Sequence, residues 1–231
     1  MALLSLPTLR DWGLTFLDLV FPEPPFDGKI PDPIEAPFCE QCGQPFQGEI
    51  TTTFSCTNCA DRTWHFQSAR AYYPFKGGVR EAILGFKYHE QFYQRKHLVR
   101  WLIAGYDRRY AEGEIKWDGL VPVPLHRLRR RERGFNQALE LANGLSRQRH
   151  IPVTDCLTRT RETGKQTQLS REERWRNLRN AFDLRSGFDV RGLNLLVIDD
   201  VFTTGATGEG CAQVLQKAGA GAVGVLTVAR G

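Results

Sequence analysis

The stretch from Leu195 to Thr207 constrains the fold of this chain more than any other. It reads LLVIDDVFTTGAT. Four consecutive apolar residues are typical of a strand that is buried on both faces, as in a parallel sheet. Two carboxylates, Asp199 and Asp200, then stand at the carboxyl end of this strand, where open α/β sheets bind their ligands. The stretch therefore predicts a buried strand that leads into a ligand site.

Small residues and a helix are expected directly after the acidic pair. The run from Thr203 to Thr207 is small enough for backbone N–H groups to close around an anion. A helix predicted from about Glu209 to Lys217 adds free N–H donors and the positive end of a helix dipole. The alternative is that the threonine hydroxyls only cap an ordinary helix.

A ligand that carries both a phosphate and a sugar diol accounts for carboxylates beside an anion site. Asp199 and Asp200 are expected to accept hydrogen bonds from two ribose hydroxyls, directly or through hydrated Mg²⁺. The groups expected to hold the 5′-phosphate belong to Thr203, Thr204, Gly205, Ala206 and Thr207. This pattern resembles the loop that binds phosphoribosyl pyrophosphate (PRPP) in type I phosphoribosyltransferases.

Four of the six cysteines form two pairs that are separated by thirteen residues: Cys39 and Cys42, then Cys56 and Cys59. This spacing predicts four thiolates around one tetrahedral Zn²⁺. Disulfides are disfavoured because no export signal is recognised, which places the chain in a reducing, cytoplasmic compartment. A segment of about 25 residues has little core of its own, so the zinc is expected to be structural. No Lys or Arg lies between the first and last of these cysteines, which argues against a nucleic-acid role for them.

The length of 231 residues leaves room for one α/β domain and a small appendage. We expect an amphipathic helix and a proline-rich linker in residues 1–37, a zinc module in residues 38–64, and the larger domain in residues 65–231. That domain is expected to contain a parallel sheet of about four to six strands with helices on both faces. No segment is long and apolar enough to span a bilayer. The net charge of +5 is compatible with a polyanionic ligand.

Five arginines fall between a short strand that ends near Pro124 and a helix that begins near Asn136: Arg127, Arg129, Arg130, Arg131 and Arg133. We expect this segment to be a loop. Arg133 is expected to neutralise a pyrophosphate, because fork-shaped guanidinium donors match phosphate geometry. The alternative is a solvated basic loop. Arg129, Arg130 and Arg131 remain open to binding single-stranded DNA.

Several motifs in fixed order resemble those of the ComF family, which consists of competence-associated, phosphoribosyltransferase-like proteins of bacteria. They are VPVPLH at 121–126, RGFNQ at 133–137, KQTQLSR at 165–171 and NLRNAF at 177–182, together with the acidic pair and the four cysteines. The resemblance covers the chain from about residue 38 onward. It implies a type I phosphoribosyltransferase-like fold with Mg²⁺ bound alongside PRPP. It also implies a polar loop at 158–170 that folds over the ligand and brings Lys165 to the pyrophosphate.

Two functions follow from these patterns. The first is a PRPP-dependent phosphoribosyltransferase linked to DNA uptake, in which Asp199, Asp200, Arg133 and Lys165 act in catalysis. The second is a non-catalytic competence factor that binds PRPP, single-stranded DNA or competence proteins. The sequence does not separate them, because no residue identifies an acceptor and a fold does not imply an activity.

Overall fold

The computed structural model describes residues 26, 28–46, 48, 56–60, 62–88, 91–111, 113–160 and 181–231. Lys165 lies outside the described residues, as does the amphipathic helix that we expect near the start of the chain. The helices, in chain order, are α1 (Thr57–Ala60), α2 (Gly77–Tyr88), α3 (Gln94–Arg109), α4 (Arg127–Arg133), α5 (Gln137–Arg149) and α6 (Ala206–Lys217). The strands are β1 (Ser68–Pro74), β2 (Gly119–Pro122), β3 (Leu157–Arg159), β4 (Phe182–Leu184), β5 (Leu195–Phe202) and β6 (Val223–Arg230).

A four-stranded parallel sheet in the order β1-β6-β5-β2 forms the centre of the molecule. This confirms the expected α/β class with a parallel sheet. The central strands read as nearly continuous apolar runs because both of their faces are covered, and every residue of β6 is buried. Strands β3 and β4 form a separate antiparallel pair.

Two layers cover the sheet. Helices α2, α3 and α5 pack on one face, where they meet Leu196 and Ile198 of β5. Helix α6, the β3–β4 pair and the four cysteines lie on the other face, against Leu195 and Val197. Because side chains alternate along a strand, neighbouring residues at the end of β5 point to opposite layers. This alternation decides the surroundings of the acidic pair.

The arginine-rich segment is a helix and not the loop that we expect from the sequence. Helix α4 spans Arg127–Arg133, and none of its residues is buried. Arginine favours helix formation nearly as well as leucine does, and Gly134 ends the helix in the left-handed conformation with φ of 79°. The five arginines therefore project from a short helix without a buried residue, where solvent screens their charges.

Helix α6 begins at Ala206, three residues earlier than the sequence predicts. Thr207 consequently belongs to the first turn of the helix. The loop before the helix, residues 203–205, is therefore shorter than expected, and we name it the hydroxyl-rich loop. Among the described residues, no helix combines the length and the apolar character needed to cross a bilayer.

Candidate functional site

A small cavity lies where β5 ends and α6 begins. Its lining includes most of the residues that the sequence predicts for phosphate and diol binding, together with Val123 after β2 and Thr227 on β6. These predicted residues are Asp199, Thr203, Gly205, Ala206 and Thr207. Thr204 does not line the cavity; its hydroxyl accepts a hydrogen bond from the N–H of Ala206 at 3.4 Å. The structure therefore brings one carboxylate and the start of a helix to the same place.

The two carboxylates of the acidic pair have different surroundings. Asp199 is half-buried and lines the cavity, whereas Asp200 points to the opposite layer and is only 3% exposed. The Nζ atom of Lys87, near the end of α2, lies 2.7 Å from each carboxylate oxygen of Asp200 and donates a hydrogen bond to Oδ1. A buried carboxylate needs such a partner, because leaving water is costly for an unpaired charge.

Sequence reasoning assigned no role to Lys87. Residues 87 and 200 are 113 positions apart, and no local spacing links them. A physical argument could have predicted a partner of this kind. When two adjacent carboxylates end a strand that is buried on both faces, the more buried carboxylate needs a cation from elsewhere in the chain.

Asp199 resists ionisation. Burial raises the pKa of this carboxyl to about 7, and the charge of Asp200 adds to the rise, while Lys87 and the N–H of Asp200 oppose it. That N–H donates to Oδ1 of Asp199 at 2.9 Å. Any ligand that brings hydroxyl donors or a cation to the cavity would therefore stabilise the ionised form of Asp199.

The turn at Gly205 shapes the anion-binding end of the cavity. Its φ of 83° is left-handed, and as the residue before α6 it has no side chain with which to cap the helix. The ring of Trp64 lies within 2.9 Å of the point that a Cβ atom at Gly205 would occupy, and the ring of Phe202 lies within 2.8 Å. Only glycine combines this conformation with such close neighbours. Thr207 and Gly208 in the first turn of α6 line the cavity, and their N–H groups can bind an anion there.

Arg133 lies outside the cavity around Asp199. It sits at the end of α4, donates to the side chain of Gln137 and places its guanidinium 5.1 Å from the ring centre of Tyr88. Tyr88 is 59% exposed, and Phe92 and Tyr93 are also exposed. Arg95 lies over the ring of Phe92 at 5.3 Å. We name this set the aromatic–arginine surface; its members are Tyr88, Phe92, Tyr93, Arg95 and Arg133.

The four paired cysteines converge on one point. Their sulfur atoms all lie within 4.8 Å of one another, and all four residues are buried. Gly43 provides the turn after the first pair with φ of 66°, and the N–H of Cys56 donates to Sγ of Cys39 at 3.3 Å. This four-cysteine cluster is compatible with a single tetrahedral metal ion.

The protonation behaviour of the thiols also fits a metal site. Burial raises the pKa of Cys39, but N–H groups of Cys56, Cys42 and Gln41 outweigh that effect and bring it down to about 7. Burial raises the pKa of Cys42 and of Cys59. Four buried thiols do not ionise together without a cation among them, and Zn²⁺ is the ion that four thiolates favour.

The chain has clear relatives among known proteins, although no family model matches it. It is 31% identical to competence protein F of Haemophilus influenzae over 201 residues, which covers 84% of this chain and 85% of that protein. It is 44% identical to the DNA utilization protein YhgH of Escherichia coli K12 over 114 residues, 49% of each chain. Competence protein ComFC of Bacillus subtilis is 37% identical over 112 residues, 48% of this chain and 44% of that protein.

Solved structures give weaker likenesses. A purine phosphoribosyltransferase from Pyrococcus horikoshii aligns with 58% of this chain and 71% of its own, at 17% identity and a TM-score of 0.37. The glutamine PRPP amidotransferase of B. subtilis aligns with 57% of this chain and 25% of its own, at 23% identity and a TM-score of 0.36. These scores are too low to support an argument about activity. The match to competence protein F extends over most of both proteins, and the chain therefore belongs to the ComF family of competence proteins.

Proposed function

We propose that this chain binds PRPP with Mg²⁺ and transfers its phosphoribosyl group with release of pyrophosphate, in a process linked to DNA uptake. The observation that carries the proposal is the cavity in which Asp199 meets the first turn of α6 at the carboxyl end of β5. A carboxylate beside the N–H groups of a helix start suits a ligand with a diol and a phosphate. Membership of the ComF family supports the link to DNA uptake.

In this proposal a nucleophile attacks C1 of the ribose while pyrophosphate leaves. The chain contributes mainly by positioning and electrostatics. Asp199 binds the ribose hydroxyls, and the N–H of Asp200 supports it by donating to its carboxylate. The side chain of Asp200 pairs with Lys87 on the opposite face of the strand. The residues from Thr203 to Thr207 bind the 5′-phosphate. Arg133 and Lys165 are assigned to the departing pyrophosphate.

Bound Mg²⁺ would neutralise charge on the pyrophosphate, and Asp199 offers the oxygen ligand that Mg²⁺ prefers. Asp200 is less suited to the metal because it is buried on the opposite face of the strand and paired with Lys87. The four-cysteine cluster is proposed to hold a structural Zn²⁺ that is separate from this chemistry.

Calorimetry of the purified chain with PRPP and Mg²⁺ tests the ligand proposal. Replacing both Asp199 and Asp200 with Asn is expected to weaken PRPP binding at least tenfold, about 1.4 kcal/mol, since amides bind a diol or a cation less well. Asp189→Asn is the matched control, because Asp189 is exposed and pairs only locally with Arg191. Equal affinity of the wild type and the double variant would contradict the assignment of the diol site.

A pyrophosphate-release assay over candidate acceptors then separates the enzyme from a binding protein. Release that depends on PRPP, Mg²⁺ and one acceptor class supports the transferase. Tight PRPP binding without release from any acceptor supports the non-catalytic alternative, in which PRPP acts as a signal.

Single-stranded DNA is the second candidate ligand, and the aromatic–arginine surface is the observation that favours it. Exposed rings beside guanidinium groups are the usual means of binding single strands without sequence preference. Tyr88→Ala is expected to weaken binding of all single-stranded sequences alike, by about 1–3 kcal/mol for one lost stacking contact. Phe188→Ala is the control, because Phe188 is 42% exposed and does not belong to this surface.

Arg133→Gln distinguishes the two ligands. If Arg133 contacts DNA phosphate, the variant flattens the dependence of affinity on salt by about 0.7 in log–log slope, whereas Tyr88→Ala leaves that slope unchanged. If Arg133 serves pyrophosphate, PRPP binding weakens and DNA binding barely changes. Arg191→Gln, an exposed arginine paired with Asp189, controls for the loss of one positive charge.

A further inference from the structure

Neighbouring residues link the four-cysteine cluster to the hydroxyl-rich loop. Trp64 and His65 follow the last cysteine of the cluster closely in sequence. The ring of Trp64 covers Gly205, and His65 binds the carboxylate of Glu209 on the first turn of α6. The N–H of His65 donates to Oε2 of Glu209 at 2.9 Å, and Nδ1 lies 2.5 Å from Oε1. The segment after the cluster thus packs on both the loop and the helix that follows it.

Arg230, the last residue of β6, forms a third and more direct link. Its guanidinium donates through Nη1 to the backbone carbonyls of Thr203 at 2.7 Å and Phe202 at 3.1 Å, and also to the carbonyl of Gly231. Through Nη2 it reaches Sγ of Cys42 at 3.9 Å. One side chain therefore joins the entrance of the loop to a member of the cluster.

A negative charge on the Cys42 side of Arg230 would stabilise its guanidinium. The residue is only 7% exposed, and its hydrogen-bond partners among the described residues are the backbone oxygens of Phe202, Thr203 and Gly231 and one sulfur. The carbonyls of Phe202 and Thr203 bind the guanidinium but do not neutralise it, and a buried charge is stabilised by an opposite charge nearby. A Zn²⁺ ion with four thiolates would carry a net charge of −2, so a metal-loaded cluster would provide a counter-ion on this side.

We propose that Arg230 is a positioning residue that couples metal occupancy of the four-cysteine cluster to the conformation of the hydroxyl-rich loop. With metal bound, the thiolates hold the guanidinium in place, and the guanidinium in turn fixes the carbonyls of Phe202 and Thr203. Without metal, the four sulfur atoms are no longer held together, the contact between Nη2 of Arg230 and Sγ of Cys42 is lost, and the loop loses its anchor. The inference rests on the proposed metal site and not on the identity of the phosphate ligand.

Amide hydrogen exchange of the full chain tests this coupling without any activity measurement. The amides of residues 203–206 are followed in four samples: wild type and Arg230→Gln, each loaded with zinc and after removal of zinc by a chelator. Removal of zinc from the wild type, or the variant alone, is expected to accelerate exchange of these amides about tenfold. Removal of zinc from the variant is expected to add little, since coupled changes are not additive.

Two controls locate the effect. The amides of residues 195–198 in the core of β5 report global opening and are expected to keep their protection. Arg185→Gln is the matched variant, because Arg185 also donates to a backbone carbonyl, that of Leu157, but does so away from the cluster and the loop. The amides of residues 203–206 in Arg185→Gln are expected to exchange as fast as those of the wild type.

Three results would overturn the inference. The first is equal exchange of residues 203–206 in zinc-loaded wild type and Arg230→Gln. The second is an equal acceleration by the chelator in both proteins, and the third is a loss of protection that is as large at residues 195–198. If the wild type purifies without zinc, both the metal site and this coupling are contradicted. If the wild type holds zinc but does not bind PRPP, only the ligand proposal is contradicted.

Arg230→Lys keeps the test open if the glutamine variant fails to fold. Lysine retains the positive charge but replaces a planar fork with a single ammonium group. The lysine variant is expected to retain zinc against a chelator better than the glutamine variant, yet to protect the loop less than the wild type. A lysine variant that loses zinc as readily as the glutamine variant contradicts the counter-ion role.

Discussion

At the scale of single residues, the acidic pair shows how alternation along a strand gives two adjacent carboxylates different environments. Asp200 is buried and paired with Lys87, whereas Asp199 lines the cavity with its pKa raised to about 7. The sequence alone suggests that both carboxylates hold the sugar. In the structure, a ligand in the cavity can reach Asp199, whereas Asp200 belongs to a buried ion pair.

Loss of Lys87 is expected to destabilise the fold. Lys87→Met leaves Asp200 as an unpaired buried charge, which costs about 3 kcal/mol of unfolding free energy. Adding Asp200→Asn is expected to recover part of that loss, since the neutral amide no longer needs a cation. Urea denaturation of both single variants and the double variant measures the coupling. Lys217→Met, at an exposed position, is the control, and strictly additive losses would contradict the pairing.

Asp199 makes the stability of the ligand-free chain depend on pH. Its pKa lies near 7 in the folded protein and near 3.8 in an unfolded chain. A raised carboxyl pKa gives stability that is complete below pH 3.8 and is lost as the pH rises through 7. Without Mg²⁺ or PRPP, Asp199→Asn is therefore expected to raise the Tm at pH 8, with an advantage over the wild type that shrinks toward pH 4. Thermal melts across this range measure the difference, and an advantage that grows toward pH 4 would contradict the assignment.

At the scale of elements, the turn between β5 and α6 fixes the cavity, and Gly205 is its most constrained residue. A methyl group at this position meets both a left-handed φ and two aromatic rings, whereas Gly134 after α4 has a similar φ of 79° with nothing within 4 Å. The two glycines separate the effect of backbone strain from the effect of packing.

Gly205→Ala is expected to cost about 3 kcal/mol of unfolding free energy, from strain and overpacking together. Gly134→Ala is expected to cost only about 1 kcal/mol, since strain alone acts there. Chemical denaturation of the two variants measures the difference. Phosphate-ester binding should fall with Gly205→Ala and persist with Gly134→Ala. Equal costs would mean that the rings of Trp64 and Phe202 move aside freely.

Patterns of local origin were predictable from the sequence, and those that depend on long-range contacts were not. The buried strand at 195–202, the parallel sheet and the convergence of the paired cysteines follow from apolar runs and spacing. The helical state of residues 127–133 was not predictable from apolar periodicity, because no residue of this helix is buried. The partners Lys87 and Arg230 were missed because each meets its target from a distant part of the chain.

At the scale of the whole molecule, the four-cysteine cluster belongs to the same apolar core as one face of the sheet. Its cysteines pack in one cluster with Phe66, Phe202 and Ala206. Metal in the cluster would accordingly stabilise the larger domain as well as its own segment.

One Zn²⁺ per chain is expected by elemental analysis of the purified protein, with all four thiols unreactive until a chelator is added. Removal of zinc is expected to lower the Tm of the entire chain in a single transition, because the cluster shares its core with the sheet. Cys156→Ser is a useful comparison, since Cys156 is buried but lies outside the cluster; it should leave the zinc content unchanged. Four thiols that react in the native protein would contradict the metal site.

The position of β6 has a consequence for how the protein is made. This strand lies between β1 and β5 in the sheet, yet it comes last of the strands in the chain. Synthesis proceeds from the amino end, so the cysteines leave the ribosome well before the strand that joins the two halves of the sheet. Arg230 arrives with that strand. Any metal that the cysteines bind can therefore be captured before β6 is translated, whereas Arg230 can reach the carbonyls of Phe202 and Thr203 only after β6 has left the ribosome.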